Sequence, residues 1–115
     1  MLIVAAALFA VAALGGLTMA YIHFGKERNP PFALAVLHGV FAATALIILL
    51  WTVLRMPSGT LVAWALGLFV VAALAGFFLF SYHIRGKSLP GPGVIVHAAL
   101  AVTAFVLLLA GIVGI

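Results

Sequence analysis

Four long apolar runs, at about residues 2–24, 32–54, 60–84 and 93–114, are separated by three short connections. At about 1.5 Å of rise per residue, a helix of this length crosses a hydrocarbon core of about 30 Å. Runs this long, with so few breakers, read as helices rather than buried strands. In lipid every backbone N–H and C=O must find a partner within the protein, so helices are the element that can span. The composition agrees: 69% of the residues are hydrophobic and 5% charged, too little polar material to cover a soluble domain of this size. The predicted class is an all-α integral membrane protein.

The connections at 25–31, 55–59 and 85–92 carry Asn29-Pro30-Pro31, Met56-Pro57-Ser58-Gly59 and Pro90-Gly91-Pro92. Proline is tolerated in the first turn of a helix but not in its interior, so each cluster ends one helix and starts the next. Short loops force antiparallel neighbours, which predicts an up-down-up-down four-helix bundle as a single domain over 1–115. The first run lacks a basic leader and is too long for the apolar part of a signal peptide, so it is expected to be a retained helix.

The chain also repeats itself, over 1–55 and 56–115. Residues 11–16 (VAALGG) match 71–76 (VAALAG) at an offset of 60, which also superposes His23 on His83. Beyond the loop the offset is 59, superposing His38 on His97, Ala45 on Ala104 and Leu49-Leu50 on Leu108-Leu109. Two hairpins in the same orientation predict a pseudo-twofold axis along the membrane normal. All four histidines are then expected towards one end of the bundle.

An ionisable residue in a spanning helix is costly, so four of them, one per helix, form a candidate site. Histidine near a helix end often serves only as an interfacial residue. His38, however, lies about 9 Å inside its helix, counting from Phe32. Two turns deeper than the four histidines, on the same faces, sit Gly16, Ala45, Gly76 and Ala104, small residues that leave a slot for a flat ligand. Small residues also serve ordinary helix packing in membranes. Neutral imidazole suits Zn, Cu, Fe and Ni. The single acidic residue, Glu27, lies in a loop, and the chain has no cysteine. That excludes thiolate sites, Fe–S clusters and thioether haem attachment, and leaves no carboxylate-rich di-iron pattern. Haem iron can take two imidazoles as its only protein ligands, which suits electron transfer.

His23, His38, His83 and His97 are therefore expected to hold one or two b-type haems. Lys26, Arg28, Arg85 and Lys87, at the same end, are placed to meet the haem propionates. By the positive-inside rule these basic residues put the histidine-side loops in the cytoplasm and both termini outside, as in a bacterial inner membrane. Pairing stays open: His38 with His97 on the pseudo-twofold axis, or His23 with His97 and His38 with His83.

In these four histidines on four hydrophobic helices the chain resembles the small bis-histidine b-type membrane cytochromes. Examples are the cytochrome b561 group and the haem-carrying anchor subunits of respiratory enzymes. The resemblance implies electron transfer to or from a quinone or a partner subunit, with the haem near one membrane face. It departs from cytochrome b561 in having all four histidines towards one end. The competing expectations are a haem- or metal-handling membrane protein, or a structural accessory subunit of a larger complex. No nucleophile–base set, carboxylate pair or phosphate loop is present, so an electron carrier is expected rather than a catalyst. The basic residues are confined to loops, which argues against nucleic acid; the partners expected are the lipid bilayer and, compatibly, a second copy of the chain.

Overall fold

The computed structural model describes residues 1–114. Among these, four α-helices account for nearly the whole chain: α1 Leu2–Gly25, α2 Phe32–Arg55, α3 Gly59–Ile84 and α4 Gly91–Val113. Each is long and apolar enough to cross a membrane. The molecule is 43 Å long and about 20 Å across (21 by 19 Å), with the helices along the long axis. Met1, the α2–α3 turn and Gly111-Ile112 meet around one end. The α1–α2 and α3–α4 loops are joined at the other, so successive helices alternate in direction.

Local chemistry sets the ends. Pro31 and Pro90 precede the first residues of α2 and α4, and Pro92 sits within the first turn of α4. There its missing N–H would have had no intrahelical partner. At the end of α3, Gly86 adopts φ 67, its N–H donates to the His83 carbonyl and the Lys87 N–H donates to the Tyr82 carbonyl. Those two bonds form a Schellman cap, and its left-handed position favours glycine. Within the spans, Thr18, Thr44, Thr52, Thr103 and Ser81 turn their hydroxyls back onto carbonyls of their own helices. No polar hydrogen of these residues is left facing lipid.

α1 packs mainly on α2 and α3 mainly on α4, and the two hairpins meet more lightly along α2–α3 and α1–α4. Lipid is as apolar as leucine, so shape fit rather than escape from water holds such helices together. The tightest packing lies in the half away from the histidines. Ala5, Phe9, Ala45, Leu49, Val62, Ala65, Phe69, Ala104 and Leu108 form the core there. Phe9 and Phe69 stack across the diagonal from α1 to α3 at 3.7 Å between centroids and 2° between planes. Matched repeat positions make matched contacts: Phe9 with Phe69, Ala45 and Ala104 both fully buried, Leu49 and Leu108 likewise.

Candidate haem site

The other diagonal, from α2 to α4, is bridged by histidine. His38 and His97 face each other with 6.2 Å between ring centroids and 84° between planes. Nδ1 of His38 lies 2.7 Å from the carbonyl oxygen of Ala12 on α1. Nδ1 of His97 lies 2.8 Å from that of Ala72 on α3. A carbonyl can only accept, so Nδ1 carries the proton in both rings and, in the neutral form, Nε2 keeps its lone pair. Each imidazole thus reaches from its own helix to the other helix of its hairpin, where the bond fixes both orientation and tautomer.

Glycine makes this approach feasible. A Cβ added at Gly16 would lie 3.1 Å from Cε1 of His38, and one added at Gly76 would lie 3.1 Å from Cε1 of His97. Gly16 and Gly76 therefore receive the imidazole of the neighbouring helix, rather than leaving a slot beneath the histidine of their own helix. Ala45 and Ala104 sit elsewhere, sealed in the alkyl core at 0% exposure. Of the four small residues read from the sequence, two adjoin the imidazole pair and two do not.

Depth also differs from the count along the sequence. His38 and His97 lie early in α2 and α4, yet their carbonyl partners Ala12 and Ala72 are near the midpoints of α1 and α3. Because Gly15 and Gly16 lie against His38, the antiparallel register makes the last turn of α1 project beyond the start of α2. Counting inward from Phe32 alone misses that overhang. The pair sits at mid-span of α1 and α3, a level distinct from the loops.

His23 and His83 belong to the loop end. Nε2 of His83 is 3.0 Å from the carbonyl of the buried Pro30, so Nε2–H donates to the α1–α2 loop. His23 packs edge-on against Phe24, and its Nδ1 is buried without a hydrogen-bond partner. Lys26, Arg28, Arg85 and Lys87 are all exposed around these two histidines. Lys26 caps α1, roughly 20 Å along the helix from Ala12. Arg85 turns back onto Ser81 and lies over the Tyr82 ring.

Three positioning residues went unread in the sequence. Ala12 and Ala72 act through backbone carbonyls, which no side-chain pattern reveals; their place inside the repeated VAAL segment was the available signal. Asn29 read as part of a helix stop. Its Nδ2 donates to the Lys87 carbonyl at 2.7 Å and its Oδ1 accepts from the Leu89 N–H at 3.1 Å, tying the two loops together.

Comparison with known protein families, with curated proteins and with solved structures found no match to this chain.

Proposed function

We propose that this chain is a membrane-embedded b-type haem protein that carries electrons, with His38 and His97 as the two protein ligands of one haem iron. The observation that carries the reading is the duplicated arrangement of imidazole and carbonyl. Metal-bound histidine almost always donates its other ring N–H to a carbonyl, carboxylate or water, as Nδ1 of both rings does here. The 6.2 Å between ring centroids brings the two imidazoles to one place on the bundle diagonal.

The donor set favours haem over a bare ion. Zinc takes three or four protein ligands, and among the described residues no group of three or more His, Asp or Glu lies together. Two imidazoles suffice for haem because the porphyrin supplies the remaining nitrogens. A haem held by His38 and His97 would supply single-electron exchange, which suits electron transfer rather than substrate binding. The chain's own part is to hold the two rings and fix their tautomers. The exchange partner in this reading is a quinone or a partner subunit, and the basic loops favour a cytoplasmic histidine end.

The same two bonds support a second reading, in which the histidines are polar ties between helices and nothing more. Absorption spectra of the protein purified from a haem-replete host separate the two. The haem reading expects a Soret band and sharp reduced α/β bands that His38→Ala or His97→Ala each abolish, and that survive His23→Ala and His83→Ala. Loosely held, high-spin haem would indicate a haem-handling protein instead. A colourless protein would sink the haem reading and leave the tie.

A further inference from the structure

The loop end holds a second cluster of polar side chains, none of which belongs to the imidazole pair. His23, Phe24, Glu27, Arg28, Asn29 and Ser88 line an open cleft of about 300 Å³ between the end of α1 and the α3–α4 loop. Two properties of this cleft point to a ligand. Glu27 and Arg28 bring opposite charges to one rim through a tight turn in which Glu27 holds φ 51, a left-handed conformation uncommon for a residue with a Cβ. Phe24 is 49% exposed beside them, at the end of a membrane-spanning helix, where lipid headgroups meet acyl chains. Asn29 is not free to bind, since both ends of its amide are engaged with Lys87 and Leu89.

We propose that this cleft binds the headgroup of an aminophospholipid, one that carries a phosphate and a primary ammonium together. The phosphate oxygens accept from the Arg28 guanidinium and the Ser88 hydroxyl, and the ammonium donates to the Glu27 carboxylate. An anionic lipid without an amine is drawn by Lys26, Arg28, Arg85 and Lys87 alone and leaves Glu27 facing like charge. A choline headgroup carries the positive charge but has no N–H to donate. The size agrees, since about 300 Å³ is the lower bound for small-molecule sites and takes a headgroup rather than a whole cofactor.

The test reconstitutes the full chain into phosphatidylcholine alone, with added phosphatidylethanolamine, or with added phosphatidylglycerol. Thermal unfolding and the lipid retained in native mass spectrometry are then measured. Phosphatidylethanolamine should raise the unfolding temperature above both other mixtures and be retained selectively. Glu27→Gln and Arg28→Gln should each cut that retention about tenfold. Lys87→Gln, at the same end but outside the cleft, should not. Equal retention of phosphatidylglycerol, or an unchanged preference in Glu27→Gln, overturns the proposal. Stabilisation by soluble phosphoethanolamine matching that by the lipid overturns the lipid assignment in favour of a free phosphoamine, and stabilisation by inorganic phosphate alone removes the amine requirement.

Discussion

His38 and His97 meet edge to face across the bundle, 6.2 Å apart at 84°, although α2 and α4, which carry them, are not adjacent helices. Each ring is steered by the other helix of its own hairpin, through Ala12 and Ala72. The relationship is therefore a product of two hairpins, each of which aims one imidazole at the same central region.

Gly16 and Gly76 set the approach of those rings, so alanine at either position should displace the facing imidazole. With a Cβ at 3.1 Å from Cε1, the ring or the helix must shift, at a cost of about 1–3 kcal/mol. Gly16→Ala and Gly76→Ala are expected to lower the unfolding temperature by similar amounts and, if the protein holds the proposed haem, to weaken or shift its absorption bands. Serving as the control, Gly67→Ala, where a Cβ would meet nothing within 4 Å, should leave both unchanged.

Removing the inter-loop clamp should loosen the histidine end without touching the pair. Asn29→Ala deletes both bonds to the α3–α4 loop, a loss of about 1 kcal/mol given the partial exposure of the site. Trypsin cleavage after Arg28 and Lys87 is expected to accelerate, while the absorption spectrum stays that of the parent. A parental cleavage rate would show that the loops do not depend on this amide.

At the opposite end, Gly111 of α4 packs directly against Val62 of α3. A Cβ there would come within 2.6 Å of Cγ2 of Val62, a fully buried side chain. Gly111→Ala is expected to destabilise by about 1–3 kcal/mol. Val62→Ala should recover part of that loss in the double variant, because the two residues share one contact. Additive losses in thermal unfolding would show that the clash is relieved elsewhere.

The long apolar runs and the Pro/Gly breaks made the four spans legible, since backbone satisfaction in lipid admits few other structures. The histidines were legible as a site for the same reason: a polar ring in a span has to be accounted for. Sequence spacing could not say which histidines meet. His23 and His38 both belong to the first hairpin, yet one ends in a loop-side cleft and the other on the bundle diagonal.

Composition and the length of the apolar runs determined the element type and the number of spans, because these follow from local chemistry and from the solvent the chain must live in. Tertiary structure decided that the His38 and His97 rings lie 6.2 Å apart, that Gly16 and Gly76 seat their neighbours' rings, and that the two rings lie at mid-span of α1 and α3. The physical reason is register. Sliding one apolar helix along another by a single turn changes every cross-helix contact while leaving the hydrophobic pattern the same.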